Sequence, residues 1–223
     1  MKKKVLFYTD SSVFGGHEKT LLIALEGLVR EPGFKISVML SRRNDRFLER
    51  LKSFDSAITV IPIDVETEAG DVFRAFLNTR KVKDIQKRIR SVDPDLVVVS
   101  QGAIGLSACG LKAAKNVSLP TVSYLPMAHP VTLVVGKQSP IIRLQELCYS
   151  YLYRLPDYYL TICQSTKDYL TDLHGVSDDR IFVNYFGMDP PSNKKPLYQF
   201  APEKKSFRIG IIARVEFNQK QHD

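Results

Sequence analysis

Short runs of apolar residues recur along the chain and are separated by polar and glycine-containing segments. In these runs the apolar residues are continuous rather than alternating, as expected for strands buried on both faces of a parallel sheet. The runs cover residues 5–8, 36–40, 58–63, 96–99, 121–125 and 158–163. The pattern therefore predicts six buried strands, spread from the N-terminus to the last third of the chain.

Between these strands, apolar residues three or four positions apart predict helices with one buried face. The faces are Leu21, Leu22, Leu25 and Leu28; Phe47, Leu48 and Leu51; Val82, Ile85 and Ile89; 106–114; and 141–155. Alternation of strands and helices is typical of α/β proteins with a parallel sheet. The sequence therefore predicts a Rossmann-like, doubly wound parallel sheet.

The pattern changes near residue 189. Residues 189–196 contain three prolines and two lysines and have the composition of a linker. A further apolar run follows at 207–213, with ten residues behind it. We predict an N-terminal domain at 1–189, a linker at 190–206, and the first strand and loop of a truncated second domain at 207–223.

Composition narrows the class of protein. The chain has 223 residues, of which 44% are hydrophobic and 25% charged, the composition of a globular protein. Its three cysteines form no Cys-x-x-Cys pair, which disfavours a zinc site or a disulfide framework and fits a reducing cytoplasm. No apolar stretch approaches the length of a membrane span.

The formal net charge of +8 suggests an anionic partner, which is a nucleic acid, a phosphorylated small molecule or an acidic membrane surface. The densest cationic segment is 80–90, where apolar residues at helical spacing interrupt six Lys and Arg residues. We interpret this segment as a helix whose Lys and Arg residues face solvent and whose apolar residues pack in the core. A peripheral contact with an anionic membrane stays open as an alternative. Nucleic acid is not expected, because no recognition signature accompanies the charge.

Ligands of doubly wound sheets bind at the carboxyl ends of the strands, so the residues that follow each strand are candidates. Gly15 and Gly16 follow the first strand, and His17 comes next. Two glycines allow close approach of a ligand to the backbone, and the following helix N-terminus favours an anion. Glu18 occupies the position where a Walker A loop requires glycine, and the spacing is not Gly-x-Gly-x-x-Gly. A tight turn before a helix is the structural alternative.

Two further strands are followed by polar residues that suit a binding site. Ser100 and Gln101 follow the fourth strand and are predicted to bind substrate hydroxyls, or else to cap the next helix. His129 follows the fifth strand in a loop between prolines, where a histidine can orient a substrate. His17 is the rival histidine. We expect Gly16, Ser100 and His129 to lie at one edge of the sheet.

Four motifs occur in a fixed order along the chain. They are Gly-Gly-His-Glu at 15–18, an Arg-x-x-Asp followed by an apolar strand and Ser at 154–165, Phe-Gly-Met-Asp at 186–189, and an apolar run followed by Arg and Lys at 211–220. In this order the chain resembles the N-terminal half of the family 4 retaining glycosyltransferases. Their GT-B fold has two facing Rossmann-like domains. Phe186 and Ala213 depart from the asparagine and glycine that this family often has.

The resemblance implies an enzyme that moves a sugar from a nucleotide-sugar donor to a hydroxyl acceptor with retention. The acceptor is a saccharide, a lipid or a small metabolite, and no metal or other cofactor is implied. By the same resemblance His129 is a catalytic residue that contacts the transferred sugar, while Arg214 and Lys220 bind the donor phosphates. Gly15, Gly16, His17, Ser100 and Gln101 are the predicted substrate-binding residues.

Two alternatives stay open at this point: a non-enzymatic ligand-binding module on the same fold, and another GT-B sugar-nucleotide enzyme such as an epimerase. The family's paired glutamates and most of its nucleotide pocket are expected beyond Asp223. The chain by itself is therefore expected to be inactive, and to lie in the cytoplasm or peripherally at a membrane.

Overall fold

Seven parallel strands form one sheet in the structure, a computed structural model that describes residues 2–130, 140–185 and 187. The strands are β1 (Lys3–Thr9), β2 (Phe34–Ser41), β3 (Ile58–Ile63), β4 (Leu96–Ser100), β5 (Thr121–Tyr124), β6 (Tyr158–Thr161) and β7 (Ile181–Val183). Their spatial order is β3-β2-β1-β4-β5-β6-β7. The order reverses between β1 and β4, and such a reversal opens a crevice at the carboxyl ends of the strands.

Helices cover both faces of this sheet. They are α1 (Gly16–Leu28), α2 (Asp45–Leu51), α3 (Asp71–Leu77), α4 (Arg80–Val92), α5 (Ala108–Asn116), α6 (Pro140–Leu152) and α7 (Gln164–His174). Buried side chains of α1 and α2 pack on one face, and those of α3 to α7 pack on the other. The predicted Rossmann-like, doubly wound α/β fold is confirmed.

The two helical layers explain why the central strands are apolar throughout. Successive side chains of a strand point to opposite faces. On β1, Leu6 and Tyr8 belong to the core beneath α3–α7, whereas Val5 and Phe7 belong to the core beneath α1 and α2. A strand that is buried on both sides therefore takes mainly apolar residues, and a polar one such as Ser123 in β5 is paired with a buried partner.

Three elements were not predicted from the sequence. β7 has only three residues, and Phe182 at its centre is exposed, so it shows no apolar run. α3 is a seven-residue helix, and α7 is largely polar with a small buried face at Thr166 and Leu170. The predicted linker and second-domain segment, 190–206 and 207–223, lie outside the described residues and stay predictions.

Close packing of α5 on the sheet depends on Gly110. A Cβ atom added at this position would overlap the aromatic ring of Tyr8, which is itself fully buried. The backbone of α5 can lie this close to β1 only because residue 110 has no side chain. Gly27 in α1 is the opposite case, because an added Cβ would meet no heavy atom within 4 Å.

We predict opposite effects for the same substitution at these two glycines. Gly110→Ala should lower the free energy of unfolding by about 1–3 kcal/mol, because the methyl group overpacks the core. Gly27→Ala should raise it by up to about 1 kcal/mol, because it restricts the unfolded chain without a clash. Urea denaturation of both variants measures the difference. Equal shifts of the same sign would contradict the packing described here.

Candidate functional site

The sequence-predicted site residues within the described part of the chain meet at the carboxyl edge of the sheet. Gly15 and Gly16 join β1 to α1, Ser100 is the last residue of β4, and His129 lies in the loop after β5. Because all strands are parallel, these positions share one edge. β1 and β4 are the neighbours at which the strand order reverses, so this edge is the expected location of a ligand crevice.

The conformation of the Gly15–Gly16 turn does not itself require glycine. Gly15 is extended, with φ −124° and ψ −157°, and neither residue has a positive φ. A Cβ atom on Gly15 would lie 3.4 Å from the Glu18 carboxylate, and one on Gly16 would meet nothing within 4 Å. The space next to Gly16 is therefore open, and its main chain is accessible at the N-terminus of α1.

The buried carboxylate of Glu18 holds this turn in place. It accepts a hydrogen bond of 2.7 Å from the Gly15 amide, and its other oxygen lies 2.8 Å from Nε2 of His17. Burial alone would raise the pKa of Glu18. The interactions with His17 and with the Gly15 amide outweigh burial and lower the pKa, so Glu18 is held as the anion.

His17 connects two loops of the edge. Its side chain is only 12% exposed and lies between Glu18 and the loop after β4. A Cβ atom on Gly102 of that loop would be 3.1 Å from Nδ1 of His17, so the ring packs directly on the Gly102 backbone. The predicted contact of His17 with substrate stays a prediction, and the observed position gives it a role in joining the loops.

A second buried carboxylate, Asp10, follows β1 directly and is fully enclosed. It accepts hydrogen bonds from three hydroxyls, those of Ser107 at 2.7 Å, Thr67 at 2.5 Å and Tyr8 at 3.1 Å. Burial raises the pKa of Asp10, and the hydroxyl donors counteract that rise in part. Since Thr67 follows β3 and Ser107 precedes α5, this carboxylate ties together the loops after β1, β3 and β4.

Ser107 is held in a conformation that is uncommon for a residue with a side chain. Its φ is 53°, in the left-handed region. Its amide donates to the Thr67 hydroxyl at 3.1 Å while its own hydroxyl donates to Asp10. The sequence pattern did not predict this network. The available signal was an acidic residue two positions after an apolar run.

Two hydroxyls at the reversal of strand order have no hydrogen-bond partner among the described residues. They belong to Thr9 and Ser100, the last residues of β1 and β4, and both side chains are fully buried. Buried hydroxyl groups are almost always hydrogen-bonded in folded proteins. The two hydroxyls are therefore unusual, but both are enclosed by protein atoms in this structure.

Gln101 is fully buried in the loop after β4. Its side-chain amide nitrogen donates to the carbonyls of Ile104 at 3.0 Å and Leu106 at 2.7 Å, and its amide oxygen accepts from Ser123 at 2.7 Å. In the structure Gln101 therefore shapes the loop after β4 from within. Its direct contact with a substrate stays a prediction.

His129 is half-buried, and its Nδ1 lies 3.2 Å from the carbonyl oxygen of Pro130. A carbonyl oxygen can only accept, so Nδ1 is the donor in this contact. The catalytic role of His129 stays a prediction. Arg214 and Lys220 lie outside the described residues, so their predicted contacts with donor phosphates also stay predictions.

A cavity of about 700 Å³ adjoins this edge at the ends of β2 and β3 and at the start of α4. Its wall consists mainly of charged side chains in opposite pairs. Arg42 pairs with Asp64 at 2.9 Å, and Arg43 pairs with Glu66 at 2.5 Å. The side-chain amide of Asn44, the residue after Arg43, donates to the carbonyl of Ser11 in the loop after β1 at 3.0 Å.

Residues 14–191 match the profile of Glycosyltransferase Family 4, which covers most of the chain. The chain belongs to Glycosyltransferase Family 4. The matched region contains Gly15, Gly16, Ser100 and His129, so the candidate site lies within the family domain. A comparison with curated proteins gave no match.

Solved structures with a similar fold include transferases and epimerases. The apo form of the lipopolysaccharide outer core galactosyltransferase WaaB is 18% identical, with a TM-score of 0.56 over 87% of this chain and 50% of that one. The UDP-GlcNAc 2-epimerase from Neisseria meningitidis bound to UDP-GlcNAc is 14% identical, with a TM-score of 0.53 over 82% and 46%. UGT89C1 from Arabidopsis thaliana complexed with UDP is 15% identical, with a TM-score of 0.51 over 82% and 49%. This chain spans about half the length of each of these structures, and at these identities the likeness is one of fold.

We predict that Glu18→Gln destabilises the fold in a pH-dependent way. The pKa of Glu18 is lower in the folded protein than in the unfolded chain. The contribution of the ionised carboxylate to the free energy of unfolding is therefore complete above the pKa of the unfolded chain, and it is lost as the pH falls through the pKa of the folded protein. The variant should lose about 1–2 kcal/mol of unfolding free energy at neutral pH, since it loses a charged hydrogen-bond acceptor. The deficit should shrink towards pH ~3, where the native carboxyl also protonates.

Urea denaturation at the two pH values measures this difference. Glu26→Gln is the matched control, because Glu26 is an exposed carboxylate on the same helix and its substitution should change little. A deficit of the same size at both pH values would contradict an ionised Glu18 at the N-terminus of α1.

Proposed function

We propose that this chain is the acceptor-side domain of a retaining glycosyltransferase that transfers a sugar from a nucleotide donor to a hydroxyl acceptor. The observation that carries the proposal is the open main chain at Gly15–Gly16, at the reversal of strand order in a family 4 domain. No feature of the turn's own conformation requires glycine there. A ligand that must approach the backbone closely accounts for both residues.

The chemistry of a nucleotide-sugar donor suits this position. Its diphosphate is an anion, and the N-terminus of the thirteen-residue α1 presents free amides and the positive end of the helix dipole. The structures bound to UDP and to UDP-GlcNAc that share this fold support the choice of a nucleotide-sugar ligand. Arg214 and Lys220, in the proposed second-domain segment 207–223, would neutralise the leaving diphosphate without a metal ion.

The remaining edge residues suit the sugar and the acceptor. The half-buried imidazole of His129, in the loop after β5, would contact the transferred sugar. The charged cavity beside the edge would hold the acceptor. Because its cations are paired with carboxylates and only Ile63 and Val65 of its lining side chains are apolar, a neutral hydroxyl-rich acceptor suits it better than a lipid chain.

An epimerase acting on a nucleotide sugar is the second candidate. It is favoured by the structure of a UDP-N-acetylglucosamine 2-epimerase, which matches with a TM-score of 0.55 over 82% of this chain. The two reactions differ in whether the product still has the bond between the sugar and the nucleoside diphosphate. A transferase releases the nucleoside diphosphate and leaves the sugar on the acceptor, whereas an epimerase inverts one sugar carbon and returns a nucleotide sugar. Proton NMR of the product mixture separates these outcomes.

The proposal predicts a loss of binding without a loss of folding when the open space beside Gly16 is filled. Gly16→Leu should weaken binding of UDP-glucose and UDP-GlcNAc at least tenfold, about 1.4 kcal/mol. Its unfolding free energy should stay close to that of the wild type, because residue 16 is exposed and a Cβ atom there meets no protein atom within 4 Å. Isothermal titration and urea denaturation on the same samples give both quantities.

Gly27→Leu is the control, because Gly27 lies in the same helix and also faces open space. It should bind both nucleotide sugars as the wild type does. The proposal would be overturned if the Gly16 variant bound the nucleotide sugars as tightly as the Gly27 variant does.

A further inference from the structure

The loop after β1 carries an aromatic ring directly before the glycine turn. Phe14 precedes Gly15 and packs on Phe47 of α2, which is fully buried, with 6.1 Å between the ring centroids. The Cζ atom of Arg46, also in α2, lies over the Phe14 ring at 5.2 Å from its centroid. A guanidinium at this distance from an aromatic face makes a cation–π contact. Arg46 therefore rests on the residue that leads into the glycine turn.

Helix α2 is joined to the same loop at a second point. The side-chain amide of Asn44, the buried N-cap residue of α2, donates to the carbonyl of Ser11 at 3.0 Å. Its side-chain oxygen accepts from the amide of Phe47 at 3.2 Å. Arg46 follows Asn44 by two residues and lies in the first turn of the helix. Buried contacts therefore fix the backbone of Arg46 relative to the loop after β1, while its side chain is exposed.

The guanidinium of Arg46 is available to a ligand. Within the described residues it has no ion pair or hydrogen bond, and its contact is with the Phe14 ring. The arginines that line the neighbouring cavity differ, because Arg42, Arg43 and Arg74 each have a carboxylate oxygen at 3.0 Å or closer. A cation–π contact uses the face of the ring and consumes none of the guanidinium N–H donors. Arg46 thus keeps its capacity to bind an anion.

The stability of α2 does not account for an arginine at this position. The positive end of the helix dipole disfavours a cation in the first turn and favours one in the last turn, where Arg50 lies. An anion beside the guanidinium would neutralise the charge of Arg46. A ligand therefore accounts for a position that helix stability alone disfavours.

We propose that Arg46 is a binding residue for the diphosphate of the nucleotide-sugar donor, held on Phe14 so that its guanidinium meets the anion at the open main chain of Gly16. The inference rests on the proposed function, and it adds a side-chain cation of the N-terminal domain to the main-chain contacts. Arginine suits this ligand because its planar N–H donors can pair with two phosphate oxygens at once. The seat on Phe14 restricts the side chain before the ligand arrives, which reduces the ordering that binding requires.

Lys19 is the rival cation at this edge. It is exposed near the start of α1, three residues after Gly16, and none of the described residues forms an ion pair with it. In the described part of the chain it also contacts no aromatic ring that would restrict it. A lysine meets phosphate as a point charge, without the fork geometry of arginine. These differences favour Arg46, and a Lys19 variant tests the alternative.

Titration of inorganic pyrophosphate into the ¹⁵N-labelled 223-residue chain at low ionic strength tests the proposal. Pyrophosphate is the diphosphate alone, so its binding needs no pocket for a nucleoside or a sugar. Two-dimensional NMR follows the Nε–Hε signal of Arg46 and the amide signal of Gly16. The variants are Arg46→Gln, Arg46→Lys, Phe14→Leu and Lys19→Gln. Arg50→Gln is the matched control, because Arg50 is exposed one turn further along α2.

In the wild type both signals should shift together as pyrophosphate is added, and binding should weaken as the ionic strength rises. Arg46→Gln should weaken binding about fivefold, because a charge-assisted contact at an exposed position is lost. Phe14→Leu should weaken it about two- to threefold, since the cation stays and its aromatic seat is removed. Arg46→Lys should keep part of the affinity. Lys19→Gln and Arg50→Gln should bind as the wild type does, and circular dichroism checks that all variants are folded.

The assignment of Arg46 fails if its Nε–Hε signal does not respond to pyrophosphate, or if Arg46→Gln and Arg50→Gln bind with equal affinity. A loss confined to Lys19→Gln would transfer the contact to Lys19 and also contradict the proposal. Any of these results leaves the proposed function standing where Gly16→Leu still weakens the binding of nucleotide sugars. The failure of this inference is therefore distinguishable from a failure of the proposed function.

Discussion

The buried carboxylate of Asp10 imposes the constraint on which the candidate site depends. An enclosed carboxyl group is costly unless hydrogen bonds replace the water that it loses. Here three hydroxyl groups provide those bonds, and they come from β1, from the loop after β3 and from the start of α5. These segments can be displaced only by leaving a buried carboxyl unsatisfied, so the loops after three strands act as one unit.

Glu18 is a second buried carboxylate, and its interactions hold the Gly15–Gly16 turn in place in the same way. Glu18 holds the Gly15 amide and contacts His17, whose ring packs on Gly102 in the loop after β4. The protein's own polar groups are thus largely committed to holding the edge. What is left accessible is the main chain at Gly16, at the N-terminus of α1 and beside the reversal of strand order. A rigid frame with a small number of free polar groups is what a pre-formed ligand site requires.

The parts of this arrangement that are local could be predicted from the sequence. Continuous apolar runs identified six strands of the sheet, and residues that follow those runs were correctly expected at one edge. Asp10 and its partners could not be predicted in this way. Thr67 and Ser107 are 57 and 97 positions away from Asp10, and no local pattern specifies contacts at that separation.

In helix α6 the spacing of apolar residues does not determine which side of the helix faces the core. Its apolar residues predicted a helix, which the structure confirms, but they lie on two sides of it. A sequence pattern cannot say which of two apolar sides faces the core. For Gln101 the pattern identified the edge correctly but could not show that the side chain turns inward, because that depends on carbonyls of its own loop and on Ser123.

The most direct test of the account is the position at which a nucleotide sugar binds. Titration of UDP-GlcNAc into the ¹⁵N-labelled chain, followed by two-dimensional NMR, reports this residue by residue. The account predicts that the amides of Gly15, Gly16 and His17 shift most and that those of Ser100 and Gly102 shift with them. Shifts confined to the amino ends of the strands, or to the outer surface of α2, would contradict a ligand site at the reversal of strand order.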